Sequence, residues 1–414
     1  MKYSLKGFML LMLVLTGALV KAQSVLPALT YINITKPYGG PVTNGDVIEI
    51  RAFISVLNGT TITDVRFNGR IPTGTTYIPG TLAIKNNLAQ NNVTNTGDCT
   101  DAVGDDRAEI VGNNVSFRLG QGASATVGGN IQGGVTQPRH GSASTIISAT
   151  FRVVVTQPNE SVFTISNNSF GYSGSSFSLP TLSVLTSIGF NCGAVDLTLN
   201  NITADAGGTF GSGTAHNGPA TSSVPFIGGF VYQPISTGAP IDGNYSVVNN
   251  KSANQGTTRA FSWDIIGDHT GIGNTSAANP ATPAGAVGGY MLLVNGAYSP
   301  SIIYQSTVTG LFPNSTYTCE FWIRNVYSGG VLPSLTISVG GIDIFSSGQV
   351  DYGTAWYVRR FTFLSSAGGS ATISMRNNSP GGTGNDWALD DVSLRQCLIL
   401  LPPSITEFRG QKAD

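Results

Sequence analysis

Beyond residue 22 the chain never sustains a helical pattern. Short runs of β-branched and aromatic residues recur instead at period two, separated by clusters of Gly, Asn, Pro and Ser. Asp46–Val56 is the clearest run, and Ala149–Val155, Tyr317–Arg324, Leu335–Val339, Val358–Phe363 and Ala371–Met375 follow the same rule. Turn signals such as Asn58-Gly59, Pro79-Gly80 and Gly381-Gly382 stand between them. Many short strands with polar, Gly-rich connections imply an all-β chain of antiparallel sandwiches or jelly rolls.

Composition narrows the function. Charged residues are 10% of the chain, against roughly 25% in an ordinary soluble domain. Lys+Arg 21 against Asp+Glu 22 gives a net charge of −1. Such a chain lacks the basic stripe that neutralises nucleic-acid phosphates and the basic clusters drawn to anionic membranes. The 41% hydrophobic content can fill real cores. At roughly 100–200 residues per domain, 414 residues imply two or three domains. Three His and four Cys leave little material for a catalytic centre. The expectation is a protein that is not an enzyme.

The N-terminus reads as a signal peptide over 1–22. Lys2 and Lys6 precede the apolar run Phe8–Val20, and Val20-Lys21-Ala22 fits the small-residue cleavage pattern. That run is shorter than the ~20 apolar residues a spanning helix needs. The expectation is a secreted, cell-surface chain whose mature part does not insert into a membrane. Export permits disulfides. Four Cys allow three pairings that sequence alone does not separate. A boundary near Gly193–Val195 divides the chain into 24–193 and 196–398. Pairing within those domains would join Cys99 to Cys192 and Cys319 to Cys397; free buried thiols are the alternative. Leu401-Pro402-Pro403 marks a linker, with 401–414 left over.

In the first domain, Asn58-Gly59-Thr60, Asp64, Pro72, Gly74, Tyr77 and Gly80 resemble the steps of a bacterial surface repeat with an immunoglobulin-like fold. The resemblance implies a spacer that holds other modules away from a cell. Asp98, Asp101, Asp105 and Asp106 crowd one loop, but their spacing does not fit a hand-type calcium loop, so a solvated loop is expected.

In the second domain, Asn385–Leu394 places two carboxylates within an apolar strand. Strict alternation sets Asp390 on one face with Ala388, Val392 and Leu394, and Asp391 on the other with Leu389 and Ser393. A carboxylate among apolar neighbours needs hydrogen bonds or a metal. Asp390 is therefore a candidate Ca²⁺ ligand, with backbone N–H groups of a nearby loop as the alternative. Along Tyr317–Arg324, alternation sends Tyr317, Cys319, Phe321 and Ile323 inward and leaves Glu320, Trp322 and Arg324 outward. Arg376 points outward on its own strand. An aromatic beside charged groups suits a sugar, the ring facing C–H bonds and the polar groups holding hydroxyls. His269 has no nucleophile motif beside it and is read as structural.

Trp263–Gly271 with Gly289-Tyr290, Cys319-Glu-Phe-Trp322 and Ala388–Ser393 with Cys397 resemble, in order, the motifs of MAM adhesion domains. The same order, with Leu311-Phe-Pro-Asn-Ser-Thr-Tyr317, is similar to the galactose-binding-like jelly roll of carbohydrate-binding modules. The chain lacks the early cysteine pair of MAM domains, which favours the jelly-roll relatives. The resemblance implies a Cys319–Cys397 bridge, a structural ion that Asp268 shares with Asp390 and Asp391, and a glycan or cell-surface ligand. Leu401–Gly410 resembles the opening of a fibronectin-like module found ahead of type IX sorting domains in exported proteins of gliding bacteria, which implies a truncated chain. The fold expectation is all-β, an immunoglobulin-like sandwich followed by a jelly-roll sandwich. Its function would be carbohydrate binding or adhesion, calcium-stabilised. The alternatives are a structural spacer or ancillary modules of an enzyme.

Overall fold

The computed structural model describes residues 24–86, 96–134, 144–189, 192–213, 215, 217–225, 228–235, 239–248, 268–269, 288–353, 355–381 and 384–398. Residues 1–23, over which the signal peptide is expected, residues 399–414, Trp263, His140 and His216 lie outside them. The described chain is strand and turn: it is all-β, folded into several sheets. Among the described residues no helix is long and apolar enough to cross a membrane.

The principal strands of the N-terminal half are β1 (Val25–Asn33), β2 (Val47–Leu57), β3 (Thr61–Arg70), β4 (Ser144–Val155), β5 (Ser161–Ile165) and β6 (Leu182–Thr186). The C-terminal half adds β7 (Asn244–Val248), β8 (Met291–Val294), β9 (Ile302–Thr309), β10 (Thr316–Asn325), β11 (Ser334–Val339), β12 (Ile342–Gln349), β13 (Tyr357–Leu364), β14 (Ser370–Asn377) and β15 (Trp387–Gln396). In β2 the period-two pattern does what it promises: Ile48, Ile50, Ala52, Ile54 and Val56 are each at most 1% exposed. They meet Val65, Phe67, Val115 and Phe117 from the sheet built on β3, in one cluster running from Val25 to Val184. A second cluster gathers Ile202 to Leu394.

The two halves are not strung together as beads. One six-stranded sheet runs β5-β6-β12-β11-β14-β9, so strands from both halves share it. The joint is the parallel pairing of Ser183 with Ile342 and Val184 with Asp343. β1 lies over this sheet, where Tyr31 is buried beside Asp343 and Arg376. Thr30 Oγ1 donates to Asn378 Oδ1 at 3.0 Å. The facing sheet of the C-terminal half runs Val231–Tyr232, β7, β8, β15, β10, β13.

The disulfide pairing differs from expectation. Cys192 bonds to Cys397, and Cys99 and Cys319 are buried free thiols. Strand register is the reason. Leu394 stands opposite Cys319, three residues short of Cys397, which is about 10 Å along a strand and beyond a disulfide's Cα reach of about 7 Å. The chain after Cys192 instead runs along the end of β15. Asp196 N–H donates to the Gln396 carbonyl and Leu398 N–H to the Ala194 carbonyl, both at 2.9 Å.

Candidate functional site

β10 behaves as alternation requires, with Tyr317, Cys319, Phe321 and Ile323 in the core and Glu320 and Trp322 on the outer side. Arg324 does not join them. It is 1% exposed and its Nε donates to the Gly353 carbonyl at 3.2 Å, so its guanidinium is spent inside the protein. Arg376 belongs to the other sheet. Its Nη2 pairs with Asp343 Oδ2 at 2.6 Å, against Tyr31 of the N-terminal half. Neither arginine is available beside Trp322 as a ligand contact.

β15 breaks alternation at Asp391. Its φ is +47°, and the register against β10 slips between the Glu320–Ser393 and Trp322–Asp390 pairs. Two residues, Asp391 and Val392, therefore oppose Phe321 alone, a β-bulge. Leu389 and Val392 both reach the core. Asp390 thus sits opposite Trp322 on the outer side and does not share a face with Val392 and Leu394.

The carboxylates there are met by protein donors. Asp390 Oδ2 accepts the His269 N–H at 2.7 Å, and Oδ1 accepts the Asp391 N–H at 2.8 Å. His269 Nδ1 lies 2.6 Å from Asp391 Oδ2. Burial first, then the neighbouring charges of Asp391 and Asp268, push the Asp390 carboxyl well above the usual range despite those N–H groups. A calcium centre needs several oxygens free to face one ion. Here both oxygens of Asp390 and one of Asp391 are engaged. Among the described residues, no group of three or more acid, His or Cys side chains is arranged so that it could hold a metal ion. Asp390 thus meets backbone N–H groups, one of them from a neighbouring segment, the alternative that its sequence setting left open.

Trp322 is also less open than its alternation implies. The His269 ring stacks on it with centroids 3.7 Å apart, and Trp356 closes the far edge of His269 at 6.0 Å. The face a sugar ring would use is held by an imidazole.

The open space lies farther along the same sheet. A cleft of about 1050 Å³ runs between the connection after β6 and the outer side of β10, β13 and β15. One wall is polar: Thr318, Glu320, Arg360, Thr362, Ser393 and Arg395. Arg360 Nε donates to Glu320 Oε2 at 2.9 Å, and the guanidinium stays largely exposed. The opposite wall carries Ile188, Leu197, Ile344 and Phe345. Ile188 and Leu197 are both 73% exposed, an unusual cost for large apolar side chains grouped at one place. Of the residues read from sequence, Glu320 lines this cleft. Arg360, Thr362 and Arg395 were not singled out. Their signal is alternation: Arg360, Thr362 and Leu364 with Phe361 and Phe363 along β13, and Ser393 and Arg395 with Val392 and Leu394 along β15.

No protein family matches the sequence, and no curated protein matches it. Among solved structures, the chain is similar to the CBM22-1–CBM22-2 tandem domain of Paenibacillus barcinonensis Xyn10C, with 11% identity over 91% of this chain and 93% of that one, TM-score 0.23. It is similar to TmCBM61 in complex with β-1,4-galactotriose, with 15% identity over 29% of this chain and 76% of that one, TM-score 0.21. A third is the carbohydrate-binding module CBM6cm-2 of Cellvibrio mixtus lichenase 5A, with 21% identity over 26% of this chain and 78% of that one, TM-score 0.19. Superpositions this loose decide nothing about ligand.

Proposed function

We propose that this chain is an exported surface protein that binds carbohydrate, in a binding rather than a catalytic role, through the cleft beside β10, β13 and β15. The observation that carries the reading is the pairing of walls in that cleft. A saccharide presents hydroxyls along its edges and C–H groups on its faces. Glu320, Arg360, Arg395 and the hydroxyls of Thr318, Thr362 and Ser393 supply acceptors and donors, while Ile188, Leu197 and Phe345 supply apolar contact. The volume of about 1050 Å³ lies at the upper end of the roughly 300–1,000 Å³ typical of small-molecule sites, which suits an oligosaccharide. Adhesion to a glycan-bearing surface would use the same contacts.

A glycan array with the native chain, Arg360→Ala and Trp322→Ala tests this. The expected outcome is glycan binding that falls about 10-fold or more in Arg360→Ala, the loss of a charge-assisted hydrogen bond, and persists in Trp322→Ala. Binding lost only in Trp322→Ala would place the ligand on the His269-covered face instead. The second reading is a structural spacer, favoured by the β6–β12 pairing that joins both halves in one sheet. An empty array would support it.

A further inference from the structure

The outer face of β2 carries Glu49, Arg51, Phe53 and Ser55, the residues that alternate with its core positions. Register sets Arg152 of β4 opposite Glu49, and Ser148 opposite Phe53. Ser148 in turn stands opposite Lys85 of the neighbouring strand Ala83–Asn86. The C-terminal half covers one end of this face. Tyr298 packs on Ala28, Phe53 and Ile146, and its carbonyl accepts the Ser55 hydroxyl. Beside that cover a pocket of about 110 Å³ opens between the halves. Arg51 and Lys85 line it from the N-terminal half, and Ser379 and Pro380 from the C-terminal half.

One carboxylate does not balance the charge gathered here. Arg51 and Arg152 each reach Glu49 through Nε, and Lys85 Nζ bridges both of its oxygens at 3.0 and 3.1 Å. Glu49 is ionised at neutral pH, so three positive charges meet one negative and a surplus of two remains. The next acid that register places on this face, Asp98, stands opposite Ala83 at the sheet's far edge and is exposed to solvent. Like charges held together disfavour one another unless a counter-charge joins them. The donors are also left in place. With Nε spent on Glu49, the Nη groups of Arg51 and Arg152 have no protein partner among the described residues. All three cations are partly exposed, so an anion can reach them from solvent.

We propose that Arg51, Lys85 and Arg152 form a binding site for a doubly charged oxyanion of the sulfate or phosphate class, with Glu49 as the residue that positions them. A tetrahedral oxyanion offers acceptor oxygens on every side, which suits guanidinium groups and an ammonium together. Its two charges match the surplus. The pocket of about 110 Å³ equals the share of three or four waters at roughly 30 Å³ each, room for one group of a few heavy atoms. Such a group arrives as a free ion or as a substituent on a glycan whose body stays outside. The site shares no lining residue with the cleft, and it does not depend on the carbohydrate reading of that cleft.

Titration calorimetry of the full chain with sodium sulfate, sodium phosphate and dextran sulfate tests this, with uncharged dextran as the control. The native chain and Arg66→Gln, an exposed arginine on another sheet that pairs with Asp64, are expected to bind alike. Affinity should fall about tenfold or more in Arg51→Gln and in Lys85→Gln, the loss of a charge-assisted contact. Lys85→Arg should keep it, and added NaCl should weaken it. If Arg51→Gln fails to fold, Lys85→Gln decides, because two arginines still pair with Glu49. Binding of the inorganic ions assigns the site to a free anion. Binding of dextran sulfate alone, lost in Lys85→Gln, assigns it to a sulfated glycan. Unchanged affinity in Lys85→Gln overturns the proposal, and so does a native chain that binds none of the three. Loss of binding confined to Arg360→Ala would place the anion in the cleft and overturn it as well.

Discussion

Glu49 is the third residue of β2 and its side chain is 3% exposed, yet three cations reach its carboxylate. Arg51 Nε is 2.9 Å away, and Lys85 Nζ and Arg152 Nε are each 3.0 Å away. Burial alone would raise its carboxyl. The charges of Arg51 and Lys85, with hydrogen bonds from Lys85 and Arg152, outweigh that and hold it below the ordinary value. The sign follows directly. A carboxyl whose folded value is depressed adds stability above its unfolded pKa of roughly 4.3, and that stability drains away as pH falls through the folded value. Glu49→Gln should therefore cost about 1–3 kcal/mol at pH 7, at the lower end of buried-pair losses because the three cations are partly solvated. The cost should shrink steadily below pH 4. Urea unfolding of both proteins at neutral and acid pH measures it; a pH-independent difference would mean that Glu49 acts through packing alone.

At the scale of the strand, β10 and β15 mark how far sequence pattern reaches. Alternation places Tyr317, Cys319, Phe321 and Ile323 correctly because β10 is regular through its core-facing positions. It fails on β15 because one residue, Asp391, adopts a left-handed φ and inserts a bulge. Asp tolerates that conformation better than most residues, but nothing in the order of the side chains requires it. Arg324 was legible as outward and illegible as covered, since its cover comes from Gly353 across a loop. The disulfide had the same weakness. Which cysteine meets Cys397 depends on register and on the path of residues 192–198, neither of which a count of four cysteines contains. The thiols give a direct check. Burial pushes the Cys319 thiol far up and the Cys99 thiol up to about 11, so neither should be alkylated at pH 8 in the native chain. Denaturant without reductant should expose two thiols, at 99 and 319. Peptide mapping should find Cys192 still linked to Cys397. A linked Cys319–Cys397 peptide would contradict the register of β10 against β15.

Across the whole molecule, sequence pattern foretold a chain of sheets but not that one sheet would be assembled from both halves. β6 is short and carries no mark of a parallel partner more than 150 residues away. Its pairing with β12 follows from the tertiary fit of the halves. That fit is tightest where two glycines meet. A Cβ on Gly348, whose φ is +67°, would fall 2.2 Å from the Gly39 nitrogen and 2.3 Å from the Tyr38 carbonyl carbon. These are backbone atoms that cannot rotate aside, so Gly348→Ala has to part the halves locally. Gly340 is the control: its φ is +59°, yet a Cβ there meets nothing within 4 Å. Gly340→Ala should cost about 1 kcal/mol of backbone strain, and Gly348→Ala about 2–4 kcal/mol because overpacking adds to it. Fluorescence and circular dichroism separate the two consequences, since all four Trp (263, 322, 356 and 387) fall in the C-terminal half while strands of both halves contribute to the dichroism. If the shared sheet couples the halves, the two unfolding curves coincide in the native chain and in Gly340→Ala, and part in Gly348→Ala. Curves already separate in the native chain would mean that the halves unfold independently and that the sheet joint contributes little.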